Sequence, residues 1–314
     1  MKGFIIRSLI STLAVMLIVS VLIFLLIYIT PGDPVRIMLG MDASPEQVAA
    51  LRSELWLDRP LPVQYGHWLS NILQGDFGRS LRYQEGVTSV IATRVPVTGY
   101  ISLLSLIISV FVGILTGTIS AIRRGSALDQ FVSVMANAGI AIPIFWLGIL
   151  GIYGLGLKLG WLPIQGFTPP TTDFWQSTRQ LIMPVICMAV PSIAILSRQT
   201  RSSMLEVTRQ DYIRTAWAKG LKERVVVLKH GLKNALIPVV TLVGLQVRTL
   251  IGGAVLVETI FNIPGMGRLM VQAVLYKDFP LLQAVTLLMA LIVSLANLLV
   301  DLSYGWLDPR VRYE

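Results

Sequence analysis

The chain has 314 residues, of which 26 are Lys or Arg and 17 are Asp or Glu, giving a formal net charge of +9. Hydrophobic residues make up 54% of the sequence and charged residues 14%, against about 25% charged residues in an average soluble domain. Such a composition excludes an ordinary soluble domain, which could not bury so much apolar surface, and a disordered chain, which needs low hydrophobicity. It predicts an integral membrane protein.

Six apolar segments are long enough to cross a bilayer, whose hydrocarbon core of about 30 Å needs about 20 helical residues. They are residues 9–29, 99–122, 131–157, 181–196, 235–257 and 281–300, the fourth being short and containing Pro184 and Pro191. The first is too long for the apolar core of a signal peptide, which runs for about 7 to 15 residues. We therefore predict an all-α protein with six membrane-spanning helices, the first of them uncleaved.

Basic residues between the spans predict the orientation of the chain. Nine Lys or Arg residues lie in residues 197–234, whereas residues 261–280 contain only Arg268 and Lys277. Because cytoplasmic loops carry the excess of basic residues, residues 197–234 are predicted to form a cytoplasmic loop. With six spans, both termini are then predicted to be cytoplasmic. This topology places Trp68 and Phe174 outside the membrane, and Arg124 and Thr215 inside.

The predicted spans divide the chain into three parts: the N-terminus with helix 1 (residues 1–29), an extracytoplasmic segment (30–96) and a core of five helices (97–314) that includes the cytoplasmic loop 197–234. Ser44 followed by Pro45 predicts the start of a helix in the second part. Tyr65 and Trp68 are expected to be exposed there, either as a contact surface for another protein or as part of a lid without a partner.

The sequence contains none of the motifs that would predict catalysis. No Gly-Lys dipeptide occurs, which excludes a GxxxxGK[ST] phosphate loop, and neither HExxH nor GxSxG is present. His67 and His230 fall on opposite sides of the membrane in the predicted topology, so they predict no common metal site. Cys187 is the single cysteine and can form no intrachain disulfide. An intramembrane hydrolase would therefore lack a recognisable nucleophile and base.

The fifth span combines small, polar and charged residues on one side. At about 100° per residue, Thr241, Gly244, Arg248, Gly252 and Thr259 share a stripe between Val, Leu and Ile, with Arg248 about 20 Å from the cytoplasmic end. One interpretation is a wet translocation pathway, and the other is close helix packing through small residues with Arg248 paired to a neighbouring helix. The sparse carboxylates of the spans disfavour a carrier coupled to an ion gradient. Gly113 and Gly117 match GxxxG, which we interpret as structural packing or chance.

A short helix is predicted in the cytoplasmic loop, from Asp211 to the residues before Gly220, which would end it in a left-handed conformation. The residues assigned to it are Asp211, Tyr212, Ile213, Arg214, Thr215, Ala216, Lys219 and Gly220. So brief a helix is marginal alone. It is either a docking element for another subunit, with Tyr212, Ile213 and Ala216 as the face that the partner buries, or an interfacial helix on lipid headgroups.

At this loop the chain resembles the inner-membrane permeases of the ATP-binding cassette (ABC) importers for dipeptides, oligopeptides and nickel. Arg214-Thr215-Ala216 and Gly220 stand where that superfamily carries its EAA loop, and Arg214 and Thr215 depart from its literal Glu-Ala. The resemblance is also carried by Pro31-Gly32-Asp33-Pro34, Gly75-Asp76-Phe77-Gly78-Arg79-Ser80, Pro143-Ile144-Phe145-Trp146, Gly252-Gly253-Ala254 to Glu258, Pro264-Gly265-Met266-Gly267 and Asp308-Pro309-Arg310.

The resemblance implies the type I permease fold of ABC importers and a place in the bacterial cytoplasmic (inner) membrane. It implies a non-enzymatic subunit without a cofactor of its own, because ATP is bound by two partner subunits. The other implied partners are a homologous permease, an extracytoplasmic solute-binding protein and membrane lipid, with no nucleic acid. Small peptides are the implied solutes, with nickel, a metal chelate or glutathione as alternatives. The loop helix would be the coupling helix, Thr241, Gly244, Arg248 and Gly252 would line the pathway, and Tyr65 and Trp68 would contact the receptor.

Overall fold

The computed structural model describes residues 2–29, 33–39, 43–54 and 56–307. Within these ranges the backbone is mostly helical and forms no strand, and an isolated bridge joins Arg79 to Gly86. Pro31 and Gly32 of the first motif, the whole of Asp308-Pro309-Arg310 and the C-terminus lie outside the described residues.

The described residues form the following helices, given in chain order. They are α1 (Lys2–Ile29), α2 (Pro34–Leu39), α3 (Pro45–Glu54), α4 (Leu61–Leu73), α5 (Val87–Ile122), α6 (Ala127–Ala141), α7 (Ile144–Gly151), α8 (Phe174–Val207), α9 (Asp211–Ala218), α10 (Glu223–Val225), α11 (Lys233–Ile260), α12 (Met266–Leu275) and α13 (Phe279–Leu307). Two π-helical segments, Ile152–Lys158 and Val226–Leu232, follow α7 and α10. Five helical stretches of the described chain are long and apolar enough to cross a membrane, and a bent pair makes six if it counts as one span.

The third predicted span is not one helix. Residues 131–157 were expected to be continuous, but α6 and the stretch Ile144–Lys158 meet at an angle of 103°. Ile142 and Pro143 between them have extended backbones, with ψ angles of 123° and 136°. Proline removes a helical hydrogen bond and disfavours the helical conformation of the preceding residue, which explains the break.

Two other spans are longer than the hydropathy pattern predicts. α5 begins at Val87 rather than at residue 99, so the last ten residues of the predicted segment 30–96 belong to the helix. α8 covers Phe174–Val207 instead of 181–196 and continues through Pro184 and Pro191, and the Asp173 carboxylate caps its start by accepting from the Gln176 N–H at 2.9 Å. Hydropathy marks the apolar stretch of each helix, whereas capping and packing extend the helix beyond it.

The long helices pack around two cores. α5, α8 and α11 share a core that includes Ile101, Met188 and Phe261, while the N-terminal end of α5 packs with α12 and α13 around Met266 and Leu281. α5 lies so close to α8 that a Cβ added to Gly113 or Gly117 would stand 2.7 Å from the Cβ of Leu196 or Thr200. The GxxxG match is therefore internal helix packing, as the sequence suggested. Ser44 caps α3 by accepting from the Gln47 N–H at 3.2 Å, which confirms the predicted helix start.

Candidate functional site

The helix predicted in the loop 197–234 is present as α9 and follows α8 after a short turn. It ends before Gly220, whose φ of +72° is the predicted left-handed conformation. A Cβ added to Gly220 would meet nothing within 4 Å, so the backbone alone favours glycine there.

The buried face of α9 turns toward its own chain. Ile213 and Ala216 are 1% and 6% exposed and pack with Val226, supported by Val207 and Leu221. The prediction that a partner subunit buries these two side chains is therefore wrong. The π-helical segment Val226–Leu232 supplies the apolar cover, which a pattern confined to residues 211–220 does not reveal.

The outward face of α9 combines polar residues with two exposed aromatic residues. Trp217 is 49% exposed and Tyr212 42% exposed, and Arg214, Thr215 and Lys219 are exposed beside them. The Arg214 guanidinium lies 3.3 Å from the Asp211 carboxylate. Trp217 was not assigned to the site from the sequence, although its position one helical turn after Arg214 could have placed it on the polar side. An exposed tryptophan on a rigid helix is a typical anchor for a protein partner.

A hydrogen bond ties α9 to the first turn of α11. The Asn234 side-chain amide donates to the Tyr212 hydroxyl at 2.9 Å and to the backbone carbonyl of His230 at 3.1 Å. Together with the Ile213 and Ala216 packing, this bond fixes α9 to the N-terminal end of α11. Movement of α9 can therefore be transmitted directly to α11.

The predicted stripe on α11 lies on a face that this chain leaves mostly uncovered. Arg248, Gly252 and Thr259 are exposed, and Thr241 is half-buried. Gly244 is different, because a Cβ there would overlap the side chain of Val300 on α13. Each interpretation therefore fits part of the stripe. Gly244 is a helix-packing position, whereas Arg248 and Gly252 face away from the chain, as residues of a translocation pathway would.

A second, buried side of α11 is fixed by the carboxylate of Glu258, which is fully buried. Thr98 donates to it at 2.5 Å, and the backbone N–H of Arg268 donates at 3.0 Å. The Met266 N–H in turn donates to the Thr98 hydroxyl at 2.7 Å, so Glu258 and Thr98 together cap the start of α12. A side chain at Gly265 would overlap the carboxylate, which explains the glycine in Pro264-Gly265-Met266-Gly267.

A second buried carboxylate joins three helices near the predicted cytoplasmic side. Asp129 of α6 accepts from Arg201 of α8 at 2.7 and 2.8 Å, from the Gly125 N–H at 2.9 Å and from the Ser120 hydroxyl of α5. This bidentate pair fixes the turn between α5 and α6 against α8.

Tyr65 and Trp68 were expected to be exposed, but α4 directs both toward α1. Their rings lie 5.4 and 5.8 Å from the ring of Phe24, and the Tyr65 hydroxyl is 2.8 Å from the Ser20 hydroxyl. Both side chains are half-buried. The expectation of exposure was wrong because the aromatic face of α4 packs on the first helix.

Comparison with protein families gives two matches along the chain. Residues 113–313 match the family described as binding-protein-dependent transport system inner membrane component, and residues 1–103 match the N-terminal part of the same kind of membrane component. A probable peptide ABC transporter permease of Sinorhizobium fredii is 42% identical over 313 residues, with full coverage of both chains. A glutathione transport system permease of Pectobacterium atrosepticum is 41% identical over 314 residues, also with full coverage of both.

Solved structures share the fold at low sequence identity. The inward-facing methionine ABC transporter MetNI gives a TM-score of 0.57 at 19% identity, covering 70% of this chain and 96% of that one. An amino acid ABC transporter gives a TM-score of 0.54 at 14% identity, covering 70% and 94%. At such low identities these two structures show that the fold is shared, and nothing beyond the fold.

Proposed function

The chain belongs to the family of binding-protein-dependent transport system inner membrane components, and on that premise we propose that it is the permease subunit of an ATP-driven importer of small peptides. The full-length similarity to a peptide permease supports the class of solute. The feature that carries the mechanism is α9, a helix with an exposed Trp217 that is bonded through Tyr212 to the start of α11. A second candidate solute is glutathione, which the 41% identical glutathione permease favours.

The permease needs separate subunits to supply energy and solute. We assign ATP hydrolysis to two ATP-binding subunits, one of which docks on the outward face of α9, and solute delivery to an extracytoplasmic binding protein. The uncovered face of α11 would form the translocation pathway together with a homologous permease. Segment 30–96 would face the binding protein. A contact of Tyr65 and Trp68 with the binding protein stays a prediction. Both side chains are half-buried, so only their exposed parts could take part in it.

The proposed function is tested by uptake into proteoliposomes that contain the permease pair, the ATP-binding subunits and the binding protein. We expect labelled dipeptide to accumulate only with ATP and the binding protein, and labelled glutathione tests the second candidate. Accumulation driven by a proton gradient without ATP would instead identify a secondary carrier.

The proposed orientation places α9 in the cytoplasm and the start of α8 outside. In a Cys187→Ser background, a membrane-impermeant maleimide added to intact cells is expected to label Phe174→Cys and not Thr215→Cys or Arg124→Cys. All three positions are exposed, so their labelling reports the side of the membrane rather than burial. Trp68 is half-buried against α1 and is the weaker reporter of the outside. Labelling of Thr215→Cys in intact cells would contradict the orientation.

A further inference from the structure

Arg248 is an uncompensated charge near the middle of α11. It lies 15 residues after Lys233 and 12 before Ile260, which corresponds to about 22 and 18 Å along the helix. Its side chain is exposed, and no hydrogen bond or ion pair joins it to any described residue. Placing a charge at this depth of a span costs free energy unless the charge meets water or a partner, so the presence of Arg248 here indicates a role.

The neighbouring positions on the helix do not supply a counter-charge. Residues four positions away on either side, where a helical ion-pair partner would stand, are Gly244 and Gly252. Those three positions away are Leu245 and Ile251. A Cβ added to Gly252 would meet nothing within 4 Å, so the space next to the guanidinium is open on that side.

The buried carboxylates of the spans are also unable to neutralise Arg248. Asp129 is held by Arg201 in a bidentate pair, and Glu258, which is fully buried about 15 Å further along α11, is held by Thr98 and the Arg268 N–H. Both carboxylates are thus already satisfied by groups of their own chain. Among the side chains that the structure describes, none therefore neutralises Arg248, which makes the uncovered face of α11 cationic at this depth.

We propose that Arg248 recognises the carboxylate of the solute as it crosses the membrane. This inference rests on the proposed function and specifies its substrate class: solutes with a free carboxylate, such as the C-terminus of an unmodified peptide. A guanidinium offers paired donors that match a carboxylate, and such charge-assisted bonds are stronger than neutral ones. The open space at Gly252 leaves room for the carboxylate to reach the guanidinium, and Thr241 adds a hydroxyl on the same side of the helix.

The test compares uptake of a dipeptide with a free C-terminus and of its C-terminal amide, using wild-type and Arg248→Gln permease in the complete proteoliposome system. The peptide pair is chosen by calorimetry so that the binding protein binds both forms within about twofold. Loss of one charge-assisted hydrogen bond is expected to lower uptake of the free peptide about tenfold or more relative to the amide. Arg248→Lys keeps the charge and should restore part of the preference for the free peptide over the amide. Thr249→Ala is the control: it removes an exposed hydroxyl about 100° around the helix from Arg248 and should affect both peptides equally.

Equal losses for both peptides in Arg248→Gln would overturn the inference and favour pairing of Arg248 with a carboxylate of the second permease. The proposed function would survive that result, because the wild-type protein would still import peptide with ATP. Absence of ATP-driven uptake of either peptide by the wild-type system would overturn the proposed function and this inference with it.

Discussion

Replacing Trp217 with Ala is expected to raise the dissociation constant between the permease and the ATP-binding subunit by about thirtyfold or more, so that less of this subunit co-purifies. The estimate is the loss of about 2 kcal/mol or more that defines an interface hot spot, with about 1.4 kcal/mol for each factor of ten. Trp217 is half exposed on the outward face of α9 and makes no part of the Ile213 and Ala216 cluster that holds the helix. The folded permease should therefore be recovered in unchanged amount. ATP-driven uptake should fall in parallel with subunit recovery.

The matched control is Trp175→Ala, since Trp175 is also exposed but lies at the start of α8, on the predicted outer side. It should leave subunit recovery unchanged. Normal recovery of the ATP-binding subunits with Trp217→Ala would show that this face is not the docking surface, and it would restore the alternative of a helix that lies on lipid headgroups. Ala216→Glu is a poor test of docking, because Ala216 is buried within the permease.

Gly220→Val is expected to uncouple the transporter with little loss of folded protein. Gly220 has a φ of +72°, and a side chain there would touch nothing, so the effect comes from backbone strain alone. Strain of this kind costs about 1–3 kcal/mol. This corresponds to a reduction of about 5- to 150-fold in the population of chains that keep the left-handed conformation at residue 220 after α9. Stimulation of ATP hydrolysis by the loaded binding protein should fall by a comparable factor.

The informative control is Gly220→Asn, because asparagine adopts the left-handed conformation more readily than a β-branched residue. It should retain most of the stimulated hydrolysis. If Gly220→Val and Gly220→Asn both behave as wild type, the conformation of this residue does not matter for coupling.

The sequence was sufficient to predict α9 but not which of its faces is buried. Asp211, the apolar spacing and Gly220 predict a short helix that ends in a left-handed residue, and these are local features. The burial of Ile213 and Ala216 depends on Val226, which returns to α9 through a π-helical segment. Such a contact is tertiary, so the periodicity of residues 211–220 could not show whether the apolar face belongs to the chain or to a partner.

The same limit explains the wrong expectation for Tyr65 and Trp68 in residues 30–96. Aromatic residues at Tyr65 and Trp68 in a polar region suggested a protein-binding surface, because the pattern alone cannot place α4 beside Phe24 of α1. In contrast, the six apolar segments were sufficient to predict the all-helical membrane fold. The break at Pro143 was missed because hydropathy averages over the proline and reports only the apolar length of the segment.

Two motifs that carried the family resemblance gained a physical role only in three dimensions. Glu258 and Gly265 are separated by six residues in the chain, and the carboxylate occupies the space that a side chain at Gly265 would need. The hydroxyl that completes this cap comes from Thr98 on another helix, 160 residues away from Glu258. Spacing within the motif could identify the family but not the buried cap that the motif builds.

The central claim is that the outward face of α9 docks on an ATP-binding subunit and transmits its movement to α11. The most direct measurement introduces a photo-activated cross-linking amino acid at position 217 in the assembled transporter, and at position 213 for comparison. We expect a cross-link to an ATP-binding subunit from position 217 and none from position 213, where the side chain is buried against Val226. Cross-links from position 217 to lipid alone, or to an ATP-binding subunit from position 213 alone, would contradict it.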